Sequence, residues 1–546
     1  MKKEPKETIF DRDQLLNQIE KEDQVWDILV IGGGATGLGV ALDASSRGMR
    51  TLLLEQSDFA KGTSSRSTKL VHGGVRYLAQ GNIKLVFEAL RERGIMLKNA
   101  PHLVSPLSFI IPSYRWWEKY FYGLGLHIYD WMAKKFRMGN TTLLRRETVL
   151  KLMDNLSPEK LNGGVQYYDG QFDDARLAVN LAQTAIEQGG VLLNYIKVGQ
   201  LKKDRDGKVT GVVATDVETG RNYSINAKVV INATGVFVDD ILKIDNPDAH
   251  ALLKVSQGIH LVLPPSFLGS EHALMIPATS DGRVLFAVPW HKHLLVGTTD
   301  TPLDHHQLEP RPLKEEISFI LNTLKGYLKK APTEKDVLSV FVGLRPLVLP
   351  ENKGEVGTKE ISRDHKLKVS ASNLITITGG KWTTYRKMAE DTVDKAIEVG
   401  SLATGPCRTQ ELRIHGYSNK DLGKDASFYG VDAIGITRLK KENPDLNVLL
   451  HPDFPFTAAE VVWAVNCEMA RTVEDVLARR LRILFLNARA AMEMAPNVAM
   501  IMAREFGKDD DWAIQQVRDF HKIAKNYLVD PLSSGVPITN KLQKIE

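Results

Sequence analysis

The chain is predicted to be an α/β protein built on a parallel sheet, with an inserted antiparallel β segment and a helical C-terminal region. Three stretches carry that expectation. Residues 26–55, WDILVIGGGATGLGVALDASSRGMRTLLLE, run from an apolar strand through a glycine-rich turn and a helix to a second apolar strand that ends in an acid. Residues 254–301 change to short alternating runs, the period of half-buried strands. Beyond Cys407 the pattern is charged and helical, with amphipathic spacing over 457–494.

The first stretch contains G-x-G-x-x-G at Gly32, Gly34 and Gly37. Such glycines permit a tight turn and let the backbone approach a pyrophosphate at a helix N-terminus. An acid about twenty residues on, here Glu55, is placed to hydrogen-bond a ribose and disfavours a ribose bearing a 2′-phosphate. Strand, turn, helix, strand and acid fall in the order of a Rossmann-like dinucleotide-binding unit. The hydroxyl-rich run GTSSRSTK at 62–69 follows directly. It reads either as a flexible loop or as a second phosphate-contacting loop presenting Thr63, Ser64, Ser65 and Ser67. The next block, LVHGGVRY, sets Arg76 and Tyr77 after a glycine pair, where they can reach into a site beyond.

Further along, helical spacing is predicted over 81–99, 169–190 and 313–328, and a hairpin over 201–220. A strand is expected at 191–194. Residues 228–235, KVVINATG, give a buried strand ending in a small-residue turn, with Ala233 and Gly235 at a second close approach to a dinucleotide. In the β-rich stretch, strands are expected at 259–263, 284–289 and 294–298. A last strand, 373–378, runs into GGKWTTYR, where Gly379, Gly380, Trp382 and Thr383 form a strand–glycine–helix anion-binding arrangement.

With 546 residues the chain has room for about three domains. Hydrophobic content of 43% and charged content of 25% are those of a soluble globular protein. A net charge of +5 suits an anionic substrate or membrane surface but is no nucleic-acid footprint. Cys407 and Cys467 lack the spacing of a metal site and read as free thiols of a reducing compartment. Residues before Gln24 are polar, without the apolar core of a secretory signal, and no window has the apolar length of a transmembrane helix. These features place the protein in the cytoplasm. Residues 115–137, RWWEKYFYGLGLHIYDWMAKKFR, interleave aromatic and basic side chains. They read either as an interfacial helix lying in the headgroup layer or as aromatics filling a core.

Taken together, WDILVIGGGATGLGVALDA, GTSSRSTKLVHGGVRYL, NATGVFVDD, SQGIHLVL, VGTTDTP, GLRPL, SRDH and TGGKWTTYRKMAED resemble, in this order, the FAD-dependent glycerol-3-phosphate dehydrogenases. The HGGVRYL and GGKWTTYR blocks are the most specific, and the likeness spans about 24–397. The resemblance implies a discontinuous FAD-binding domain of the glutathione-reductase and D-amino-acid-oxidase type at 22–110, 165–250 and 340–400. A substrate-binding cap follows at 111–164 and 251–339, and a helical domain at 406–546. It implies non-covalent FAD and oxidation of sn-glycerol 3-phosphate to dihydroxyacetone phosphate by hydride transfer from C2, with electrons passing to membrane quinone in glycerol catabolism. The protein would then sit peripherally on the inner face of the cell membrane, a homodimer being compatible with this.

For the site, the resemblance puts His260 forward as general base and Arg345 as a second catalytic group that polarises the developing alkoxide or holds phosphate. Arg76, Tyr77, Arg363 and Lys381 would bind substrate, and His72 has a structural place beside the flavin loop. No metal is expected. The competing expectations are an oxidase that reduces oxygen to peroxide, a flavin amine or amino-acid oxidase, and a flavin-binding sensor without turnover.

Overall fold

A computed structural model describes residues 10–20, 24–75, 78, 82–277, 279–349, 365–403, 405–419 and 427–530. Two sheets organise them. In the first, of eight strands, Val25–Ile31 lies between Asn222–Asn232 and Thr51–Leu54, parallel to both. Val191–Leu193 and Ile375–Gly379 extend the parallel core on either side, and His365–Val369 closes one edge antiparallel. Thr51–Leu54 is buried at every position, as a strand covered on both faces must be. The hairpin Ile196–Lys203 and Val209–Asp216 continues antiparallel from Asn222–Asn232.

Helix Ala35–Ser46 packs on Val25–Ile31 and Thr51–Leu54, beside helices Asp174–Glu187 and Tyr385–Gly400. Its small residues permit this: a Cβ on Gly39 would stand 2.9 Å from the Tyr385 ring. The polar N-terminal segment holds helix Arg12–Ile19, capped by the Asp11 carboxylate, which buries Leu15, Leu16 and Ile19. Arg12 donates from there to Asp216 at 3.1 Å.

The second sheet has ten strands, antiparallel except where Ala273–Ile276 meets Val104–Ser113. Its centre is Leu253–Leu263, paired along its length with Ser339–Val348 and also with His293–Gly297. This sheet reaches into all three segments expected to form the FAD-binding domain. Leu70–Val71, most of Val104–Ser113, Gly163–Phe172 and Ser339–Val348 belong to it. The 169–190 expectation is corrected in the same place: residues through Phe172 are strand, and the helix starts at Asp174. Asp173 sets that start, its side chain accepting from the Arg176 N–H at 3.1 Å.

Residues 115–137 divide between the two expectations. Tyr129 is core: its hydroxyl donates to Asp169 and accepts from the Gly73 N–H, both at 2.7 Å. Along helix Glu118–Ala133 and just before it, Trp116 is 77% exposed, Trp131 72%, Leu124 67% and Phe121 62%.

The C-terminal region is helical, and His415 fastens it to the end of helix Asp174–Glu187. Its two ring nitrogens face Glu187 at 2.6 Å and Asp432 at 3.0 Å. Burial opposes the charged form, but Asp432 and Glu187 outweigh it and push the imidazole up to about 9. A group raised on folding contributes stability that is complete below its unfolded value, about 6.5, and is lost as pH rises through 9. The His415→Gln variant should therefore be less stable by about 3 kcal/mol at pH 6 and nearly equal to the parent above pH 9. Denaturant titrations at the two pH values check this.

Candidate functional site

The glycine turn has the geometry of a dinucleotide cradle. Gly32 has φ +108°, and a Cβ there would stand 2.7 Å from the Ala233 carbonyl oxygen. A Cβ on Gly37 would strike the Gly32 carbonyl, so this glycine seats the helix on the turn. Gly34 precedes helix Ala35–Ser46, and Ser64 Oγ accepts from the Ala35 N–H at 2.9 Å. Serving this turn is a cleft of about 440 Å³, bordered by Gly32, Gly34, Glu55, Thr63, Ser64, Ala233 and Gly235.

Glu55 accepts from the Gly33 N–H at 2.6 Å and the Ser57 N–H at 2.9 Å, and burial pushes its carboxyl up from the ordinary range. The strand-end acid thus braces the turn and remains at the edge of the cleft. Glycines that leave no room for a Cβ, an acid at the strand end and a cleft along the turn fit a dinucleotide cofactor.

Ala35, Thr36, Thr63, Ser64 and Gly235 also line a second cavity, of about 300 Å³, so the two adjoin. His260, Arg345, Lys381, Ser67, Gly379, Gly380, Trp382 and Thr383 meet there, with Thr68 and His72. Elements from four regions of the sequence converge at this place. Arg76, Tyr77 and Arg363 lie outside the described residues.

Several of the expected contact residues also make structural bonds around these cavities. Trp382 Nε1 donates to the Ser64 carbonyl at 2.8 Å and Thr383 Oγ1 accepts from the His72 N–H at 3.2 Å, so both fasten loops around the cavity. Thr63 Oγ1 donates to the Leu344 carbonyl at 2.7 Å. Ser65 is buried and borders neither cavity, and its carbonyl accepts from Lys69 Nζ at 2.6 Å. The backbone turns left-handed at Gly379 and Gly380, with φ +77° and +71°.

His260 sits on Leu253–Leu263, its ring stacked on Phe341 with centroids 4.9 Å apart. Nε2 lies 2.9 Å from Thr68 Oγ1, while Nδ1 is buried without a hydrogen-bond partner. Burial first, then the charges of Lys69 and Arg345, hold its pKa well below 6.5, so the ring is neutral at neutral pH and able to accept a proton. Arg345 is held in place by four donated bonds. It donates to Asp300 at 3.0 Å and to Thr298 Oγ1 at 3.0 Å, and also to the carbonyls of Thr299 and Gln257.

Behind the loop is a buried charge cluster that sequence reasoning did not find. Lys69 Nζ donates to Asp174 at 2.6 Å, Arg482 donates to Asp174 at 2.9 Å, and Ser67 Oγ donates to it at 2.7 Å. Burial lowers the Lys69 ammonium to about 7, against the pull of Asp174. Arg479 and Arg480 meet Asp58 in the same interface. The basic run at 479–482 falls in the stretch expected only to be amphipathic helix. Its acidic partners are far away along the chain, and nothing in the local pattern signals them.

Comparison with known proteins agrees with this geometry. A family model of FAD-dependent oxidoreductases matches residues 27–386, and one for the C-terminal domain of alpha-glycerophosphate oxidase matches 370–513. The chain is 42% identical over 522 residues to the mitochondrial glycerol-3-phosphate dehydrogenase of Homo sapiens, covering 89% of this chain and 71% of that one. It is also 42% identical over 528 residues to a probable mitochondrial glycerol-3-phosphate dehydrogenase of Caenorhabditis elegans, covering 91% of this chain and 72% of that one. A crystal structure of glycerol-3-phosphate dehydrogenase from Bacillus halodurans, complexed with FAD, superposes with TM-score 0.78 at 32% identity. That match covers 96% of this chain and 99% of that one.

Proposed function

The chain belongs to the FAD-dependent glycerol-3-phosphate dehydrogenases, and from that membership we propose that it oxidises sn-glycerol 3-phosphate to dihydroxyacetone phosphate and passes the electrons to a membrane quinone, in glycerol catabolism. The observation that carries this reading is one cavity, adjoining the dinucleotide cleft and sharing its lining, in which a neutral buried imidazole meets two cationic side chains, Arg345 and Lys381.

FAD would be held non-covalently by the Gly32 turn, Glu55 and the side chains of Thr63, Ser64 and Ser67, and would supply the two-electron acceptor. The chain's own residues do the rest. His260, kept neutral, takes up the proton of the substrate hydroxyl. Arg345, immobilised by Asp300 and two carbonyls, stabilises negative charge developing on that oxygen. Lys381 attracts the phosphate dianion, with Arg76, Tyr77 and Arg363 as the sequence-derived candidates to complete its binding. Turnover with a soluble quinone analogue in air tests the acceptor. Quinol formed with little peroxide supports the dehydrogenase, whereas peroxide equal to substrate consumed supports the oxidase.

The exposed aromatics of 116–131, with Lys119 among them and Arg115 and Lys134 flanking them, support peripheral attachment to the inner face of the cell membrane. No helix among the described residues is long and apolar enough to cross a membrane. Replacing Trp116 and Trp117 by Ser should lower binding to anionic liposomes severalfold while flavin content stays unchanged. Unaltered partitioning in a sedimentation assay would count against the attachment.

A further inference from the structure

We propose that Thr68 is the proton relay between the substrate hydroxyl and His260, and that Lys69, Asp174 and Arg482 are positioning residues that hold it there. The inference rests on the dehydrogenase reading and concerns how the imidazole reaches the substrate. His260 Nδ1 is sealed and Nε2 is engaged by Thr68 at 2.9 Å. The ring is confined by Phe341 on one face, and a Cβ on Gly297 would run into its Cδ2 edge. Thr68 and His260 both line the cavity, and the Thr68 hydroxyl already occupies Nε2, so a substrate there exchanges its proton with the imidazole through that hydroxyl.

The loop is built to present that hydroxyl. Lys69 adopts the left-handed conformation at φ +63°, and its N–H donates to Ser67 Oγ at 3.0 Å. Its ammonium grips Asp174 and the Ser65 carbonyl, and Arg482 from the C-terminal domain donates to both of the same partners. A left-handed lysine is unfavourable unless its surroundings impose it. Here the side chain is fully buried, with Nζ 5.2 Å from the ring centroids of Trp290, Phe341 and Phe485. The C-terminal domain thereby contributes to the geometry of the site.

In the proposed step the C2–H bond breaks and leaves as hydride to the flavin. The substrate O–H bond breaks too, its electron pair forming the carbonyl. That proton goes to Thr68 Oγ1 while the Thr68 proton goes to His260 Nε2, so the products are ketone, reduced cofactor and imidazolium. This requires a neutral His260 protonated on Nδ1, with Nε2 accepting from Thr68.

The test is anaerobic flavin reduction by sn-glycerol 3-phosphate in the holoenzyme and in Thr68→Val and Thr68→Ser. The valine variant should lose on the order of 10²- to 10⁴-fold in limiting reduction rate, with the substrate dissociation constant little changed and the rate partly recovering at high pH. Serine, which keeps the hydroxyl, should restore it to within about tenfold. Valine and serine variants with equal rates, or a valine variant as fast as the parent, would overturn the relay. Independently of turnover, ¹⁵N resonances of histidine-labelled parent protein should show His260 as the Nδ1–H tautomer. An Nε2–H tautomer overturns the proposal even where the valine variant fails to retain flavin. A parent holoenzyme that does not reduce its flavin with this substrate instead refutes the dehydrogenase reading.

Discussion

Replacing Asp174 by Ala should destabilise the protein by about 3–5 kcal/mol, the range for removing one partner of a buried ion pair. Asp174 is fully buried and accepts from Lys69 Nζ, Arg482 Nη2, Ser67 Oγ and the Ser67 N–H. Its loss removes the counter-charge of Lys69, which is then buried as the neutral amine, and leaves the Arg482 guanidinium with Asp173 alone. Asp173 is not a substitute for Lys69: it serves Arg482 at 3.4 Å and His291 at 3.1 Å. The loop bearing Thr63, Ser64 and Thr68 is anchored through Ser65 and Ser67, so flavin should be released at a lower temperature than in the parent. Asp174→Asn, which keeps the shape but not the charge, should fall between them. Thermal unfolding followed by flavin fluorescence measures both effects, and a variant melting with the parent would show that the cluster is not a clamp.

Arg345→Ala should lower the limiting rate of substrate oxidation on the order of 10²- to 10³-fold, the usual loss when one preorganised donor to a developing oxyanion is removed. The guanidinium is fixed by Asp300, Thr298, Thr299 and Gln257 before any substrate arrives, so its orientation costs nothing during reaction. Arg345→Lys should recover only part of the loss, because an ammonium cannot reproduce that fork of donors. Flavin content should stay at the parent level, since Arg345 borders the second cavity and not the first. A rise in KM with an unchanged kcat would reassign Arg345 to the phosphate.

The dinucleotide turn was legible because its requirements are local. Gly32, Gly34 and Gly37 answer to backbone approach and helix seating, and Glu55 to the end of the adjoining strand. His260 and Arg345 were legible only through the resemblance, since a histidine or arginine in a strand has no local mark of function. What joins them is the pairing of Leu253–Leu263 with Ser339–Val348, which brings Gln257 opposite Leu344 and His260 opposite Phe341.

The helix expected from 169 was misplaced because alternation in the strand Gly163–Phe172 merges with the helix that follows; the boundary is a cap at Asp173. The roles of Trp382 and Ser65 could not be read from composition, for both depend on which neighbour the loop meets. The clamp was invisible for the plainest reason: Lys69, Asp174 and Arg482 come together only on folding, and burial turns ordinary surface residue types into a charged core.

The most direct test of the account is the reductive half-reaction. The purified holoenzyme, made anaerobic, is mixed with sn-glycerol 3-phosphate while its flavin absorbance is followed. The oxidised flavin band should bleach with one dihydroxyacetone phosphate formed per flavin, and should not bleach with glycerol or with amino acids. A flavin that stays oxidised with sn-glycerol 3-phosphate, in protein that holds its full complement of FAD, would contradict it.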